Sequence, residues 1–135
     1  MAEPGTFWGE LRLPALTRAQ VALFAGGSGD HNPIHIDIDA ARAAGFDDVF
    51  GQGMLSMALL GRLLTAHAAP RRLRSFRARF EAPCRIGDAL LLRAEIRERF
   101  AEGGETRLRL VLTGAAGGRT IISGEAVLAE GETDE

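Results

Sequence analysis

The chain contains no lysine: all sixteen basic residues among its 135 are arginine. Together with abundant alanine and glycine this points to a GC-rich coding sequence, which concerns source and not function. There is one cysteine, Cys84. That excludes an intrachain disulfide and fits a reducing compartment. No run of about twenty apolar residues exists to span a bilayer. The start, MAEPGTFWGELRLP, lacks a basic segment followed by an apolar run, so no signal peptide is expected and the cytoplasm is the expected location. Net charge is only −2, so no global field favours nucleic acid or an anionic membrane. Repeats and internal linkers are lacking too. What is present is ordinary globular material, 46% hydrophobic and 25% charged, of a length that suits one domain. Residues 1–135 are read as that domain, with a disordered tail expected from about residue 130.

The periodicity changes once along the chain. TRAQVALFAGGSG reads as a helix capped by Thr17, with Gln20 three residues on and Gly26-Gly27 ending it. DAARAAG reads as a second short helix, Asp39 to Gly45. In GMLSMALLGRLLTAHA, Gly53 to Ala68, apolar residues cover almost the full circumference, which predicts a buried helix. After Pro70 the period becomes two. Phe76, Ala78, Phe80 and Ala82 share a face, as do Leu90, Leu92, Ala94 and Ile96, then Leu108, Leu110 and Leu112, then Ile122, Ala126 and Leu128. AEGGE and GAAGGR read as hairpin turns. Four antiparallel strands therefore follow one buried helix, and GTFWGELRLP adds an edge strand. A small sheet covers only one side of an apolar helix, so a second copy is expected to cover the rest.

The stretch SGDHNPIHID, Ser28 to Asp37, gathers Asp30, His31, Asn32, His35 and Asp37 around Pro33. A metal site, an acid/base pair and an ordinary polar loop all compete for it. The spacing matches no standard zinc pattern, and Pro33 disrupts the register that a helical His-x-x-x-His pair needs, so no metal is expected. Taken alone, Asp30 reads as a cap and His35 as a satisfied loop histidine. On a helix the two would diverge by more than a right angle, but Pro33 argues for a bent loop that can bring them together. Asn32 suits an internal clamp on such a loop. His31 reads as solvent-facing or lining, Asp37 and Asp39 as turn and cap residues, and His67 as a cation at a helix C-terminus. In RRLRSFRAR, Arg72 and Arg74 are candidate contacts for a phosphate or an acidic partner, against the even alternative of a solvated strand face.

These residues together resemble a known family. Gly29 to His35 matches Gly-Asp-x-Asn-Pro-x-His, the signature of the MaoC-like, (R)-specific enoyl-thioester hydratases. AARAAGF resembles the segment after it, and GQGML resembles the family's His-Gly-Met opening of the central helix, with Gln52 where relatives often carry histidine. The resemblance spans roughly Thr17 to Ala129. It implies an α+β hot-dog fold, an antiparallel sheet wrapped around a central helix. It also implies reversible hydration of trans-2-enoyl thioesters to (R)-3-hydroxyacyl thioesters, on coenzyme A or acyl carrier protein, in fatty-acid or polyhydroxyalkanoate-type metabolism. Acid/base work falls by the resemblance to Asp30 and His35, in an order left open, and thioester-oxygen binding to the Gly53 backbone N–H. No cofactor is implied, and the expected assembly is a homodimer or a heterodimer with a similar subunit. A hot-dog thioesterase and a non-catalytic acyl-binding partner are the rival readings.

Overall fold

The computed structural model describes residues 5–131. In chain order they form β1 (Thr6–Arg12), α1 (Arg18–Ser28), a 3-10 turn (Pro33–His35), α2 (Ile38–Ala43), β2 (Phe50–Gly51) and α3 (Gly53–His67). A second 3-10 turn (Pro70–Arg72), β3 (Leu73–Phe80), β4 (Cys84–Arg85), β5 (Leu91–Glu102), β6 (Glu105–Ala116) and β7 (Arg119–Ala129) follow. Five strands make one antiparallel sheet in the order β1-β5-β6-β7-β3, and β2 pairs with β4 apart from it. This is the hot-dog architecture, and β1 is the edge strand expected from GTFWGELRLP. The β2–β4 pair had no sequence signal, because two residues are too short to show alternation.

Two glycine pairs fix the hairpins. Gly103-Gly104 and Gly117-Gly118 all have positive φ, between 55° and 78°. Two such residues in succession make the type I′ turn, whose twist matches that of the strands it joins. The alternating leucines then face inward: Leu92, Leu108, Leu110, Leu112 and Ile122 are fully buried with Leu60 and Leu63 of α3. Each such side chain contributes about 1.5–3 kcal/mol by leaving water. Gly124 lets the helix, β7 and β3 come together, since a Cβ there would lie 2.6 Å from the Arg77 carbonyl oxygen and 3.4 Å from Leu60.

Three expectations need correction. The first helix runs through Gly26 and Gly27 to Ser28. Its stop is Gly29, whose φ of 78° gives the left-handed cap and whose N–H donates to the Ala25 carbonyl. The second helix begins at Ile38 with Asp37 as its cap, one residue earlier than read. And α3 is not enclosed all round: Met54 is 56% exposed, and Ala58 and Thr65 on the same side are also exposed. This stripe lies beside β3, the last strand of the sheet, where Phe80 is 53% exposed although the alternation placed it inward. Among the described residues no strand lies beyond that edge to cover it.

The opposite face of the sheet is a lattice of arginine and glutamate. Arg74 forks onto Glu105 at 2.7 and 3.1 Å, and Arg107 adds a bond of 2.9 Å. Arg74 first, then Arg107, holds the Glu105 carboxyl down at about 2. Arg109 bridges Glu98 and Glu125. Cross-strand pairs of this kind are individually weak when exposed, and their main effect is to keep the face polar. Glu130 is held as well: its N–H donates to the Thr106 carbonyl and its carboxylate pairs with Arg99. The remainder of the expected tail, residues 132–135, lies outside the described residues.

Candidate active site

The signature loop is folded by its own short side chains. Ser28 Oγ accepts from the Asp30 N–H (3.2 Å), Asp30 Oδ1 from the Asn32 N–H (3.3 Å), and Asn32 Oδ1 from the Ile34 N–H (3.3 Å). Each is a turn in which a side chain replaces a backbone acceptor. Asn32, preceding proline, is extended at φ −58° and ψ 122°, and Pro33 opens the 3-10 turn that Asn32 caps. The turn closes with the His35 N–H on the Asn32 carbonyl at 3.1 Å. A chain bent in this way points His35 back at Asp30.

His35 is 8% exposed and its two ring nitrogens have different surroundings. Nδ1 lies 2.8 Å from the Phe50 carbonyl oxygen. A carbonyl only accepts, so Nδ1 carries the hydrogen, and the neutral ring keeps its lone pair on Nε2. The Phe50 ring packs edge-on against the imidazole at 4.9 Å. Nε2 lies 4.0 Å from Asp30 Oδ2, on a carboxylate that is 43% exposed. That gap is too long for a direct hydrogen bond. It suits one water at about 2.8 Å from both atoms, with an angle of about 90° at its oxygen. Asp48, a second carboxylate beside His35, is taken up by Arg18 at 2.5 and 3.2 Å, and that guanidinium holds it below its ordinary range. Asp30 is therefore the carboxylate left facing Nε2.

Phe50 leads directly to the start of α3 through Gly51 and Gln52. Gly53 is the first helical residue, so its N–H has no acceptor within the helix. It lines a cleft with Phe50, Ser56, Phe80 and Ile121. The absence of a side chain at Gly53 keeps this end open: a Cβ would sit 3.2 Å from the Phe80 ring. Phe50 thus stands between the acid/base pair and the helix end. Sequence reasoning missed it, and its contribution through a carbonyl leaves no trace in residue type. Gln52, whose amide is buried beside Gly53, went unread except as a departure from the family pattern.

The remaining candidates separate. His31 is exposed, and His67 in the last turn of α3 hydrogen-bonds the Leu63 carbonyl. Arg72 Nε donates to the Ala129 carbonyl at 2.8 Å and Arg74 forks onto Glu105, so both candidate phosphate contacts have partners within the chain. Burial, reinforced by Asp88, pushes the Cys84 thiol up to about 11, which leaves little thiolate for nucleophilic chemistry near neutrality. Among the described residues no three His, Cys, Asp or Glu side chains converge as metal ligands, and no helix is long and apolar enough to cross a membrane.

Residues 9–123 match the family model described as a MaoC like domain. A 3-hydroxybutyryl-CoA dehydratase of Methylorubrum extorquens is 30% identical over 121 residues, covering 88% of this chain and 76% of that protein. An (R)-specific enoyl-CoA hydratase of Rhodospirillum rubrum is 32% identical over 117 residues, covering 84% and 78%. Among solved structures, the ChsH1-ChsH2 complex of Mycobacterium tuberculosis superposes with a TM-score of 0.83 over 97% of this chain and 100% of that one, at 21% identity, a likeness of fold. Matched along most of its length, the chain belongs to the MaoC-like dehydratase family.

Proposed function

We propose that the protein hydrates trans-2-enoyl thioesters to (R)-3-hydroxyacyl thioesters and catalyses the reverse dehydration. The observation that carries the reading is the His35–Asp30 pair, with Nε2 facing a carboxylate oxygen across one water's width. In the forward direction that water is the nucleophile. His35 Nε2 takes one proton as the oxygen bonds to C3, and Asp30 accepts a hydrogen bond from the O–H that stays on the oxygen, which orients the water. Electrons of the C2–C3 double bond move onto the thioester oxygen, where the Gly53 N–H and the positive end of α3 stabilise the charge. The pair then returns the proton to C2, so water is added with no proton gained or lost overall. Asn32 holds the loop in the required bend. Neither Arg72 nor Arg74 is given a substrate contact, since each would first have to exchange its partner in the chain.

The relatives' names support a thioester on coenzyme A as substrate, with acyl carrier protein the alternative carrier, in fatty-acid or polyhydroxyalkanoate-type metabolism. The chain acts as a single cytoplasmic domain paired with a second hot-dog subunit, either another copy or a similar chain. The Met54–Ala58–Thr65 stripe and the β3 edge with Phe80 are the surface such a subunit covers.

Crotonyl-, octenoyl- and dodecenoyl-CoA test the activity through loss of enoyl-thioester absorbance, followed by chiral chromatography. The expected product is the (R) alcohol. An (S) product, or release of free thiol in its place, contradicts the reading. Asp30→Asn and His35→Ala should each lower kcat about 100- to 10,000-fold, with the double variant scarcely worse than the poorer single, because both serve one water. Losses that multiply would mean independent roles. Light scattering should give at least twice the 14.4 kDa monomer mass, since a permanent interface of this type usually buries more than about 2,000 Å². A fully active monomer would overturn that part.

A further inference from the structure

Gln52 is 1% exposed, sits at the N-cap of α3 and does not cap its own helix. Its side chain instead crosses to α1, where Nε2 donates to the Val21 carbonyl at 3.0 Å. Its Oε1 is buried with no partner among the described residues. The arrangement is costly for the fold and gains it little. Val21 lies inside α1, where the regular helical acceptor role of its carbonyl is toward the N–H four residues on. An apolar side chain of similar length would remove the orphaned acceptor and leave no backbone group unpaired. Relief of the orphaned acceptor then offsets the loss of the one bond to a carbonyl that the helix also serves.

The two ends of this bond say more. On one side, α1 terminates at Gly29, and the next residue is Asp30. On the other, Gln52 is flanked by Gly51, held by the β2–β4 pair, and by Gly53 at the helix start. We propose that Gln52 is a positioning residue: its amide N–H fixes helix α1, and with it Asp30, relative to the Gly53 N–H, so that the proton-moving water and the thioester oxygen are held in one geometry. It acts through α1 and not on the reacting atoms. The proposal rests on the hydratase reading above. Misplacement of about 1 Å in such a constellation can cost on the order of 100-fold in rate.

The test is enoyl-CoA hydration by the full chain with Gln52→Met and Gln52→Glu, with thermal unfolding on each. Gln52→Met keeps length and removes the donor. Its kcat should fall at least tenfold, with KM within twofold and a Tm equal to or above that of the wild type. In Gln52→Glu the new carboxyl donates to the Val21 carbonyl only while protonated; ionised, it turns an oxygen with no hydrogen toward another acceptor. The kcat of this variant relative to wild type at the same pH should be highest at low pH and fall as pH rises, a limb the wild type lacks. An unchanged kcat in Gln52→Met, a parallel loss of kcat and Tm, or a flat ratio for Gln52→Glu overturns the proposal. A Gln52→Met chain that does not fold refutes the claim that the amide is dispensable to the fold, and the Gln52→Glu ratio then decides the tie alone. Wild-type enzyme without turnover in the same assay would instead refute the hydratase reading.

Discussion

The hydrogen bond from His35 Nδ1–H to the Phe50 carbonyl is the interaction on which the rest of the site depends. It fixes the tautomer, and so determines which nitrogen faces Asp30. It also joins two parts of the chain with different duties. His35 belongs to a loop shaped by Ser28, Asp30 and Asn32, while Phe50 belongs to the short strand that delivers the chain to Gly53. One bond of ordinary length therefore relates a proton acceptor to the open end of a helix. The imidazole itself is buried, so such a bond is worth more there than at a surface, and its loss frees the ring to turn.

The fold supplies the rigidity behind that bond. The inward leucines of β5 and β6 press on Leu60 and Leu63, and Gly124 allows β3 and β7 to close around the helix. With its middle clamped, α3 presents its first N–H groups at a fixed place. The charged lattice on the other face, including Arg74 and Glu105, keeps that surface polar and its arginines occupied. The uncovered stripe of α3 and the β3 edge mark where this division into buried and solvated faces is incomplete in one protomer.

Much of this was legible in the sequence, for identifiable reasons. Alternation over long strands exposed the inward faces, and adjacent glycines gave both hairpins, because few other residues adopt positive φ twice in succession. Pro33 correctly excluded a regular helix between Asp30 and His35. Other features left weaker signals. Gly26 and Gly27 looked like a helix stop, yet a helix tolerates glycines where the next one, Gly29, makes the better cap. Phe80 alternated inward, but its strand is the edge of the sheet, with no further strand beside it among the described residues. The arginine run gave a charge without a partner, and only the folded sheet brings Glu105 and the Ala129 carbonyl to Arg74 and Arg72. The Phe50 carbonyl could not be read at all, since every residue but its context would supply the same atom.

Nitrogen NMR of the His35 ring in uniformly labelled protein, with the Asp30→Asn variant for comparison, tests the central claim most directly. The account predicts that neutral His35 is protonated at Nδ1, with the long-range couplings and shift of a bare ring nitrogen at Nε2, in both proteins. An Nε2–H tautomer, or a ring averaging between the two forms, would contradict it, because His35 could not then be held by Phe50 with its lone pair toward Asp30.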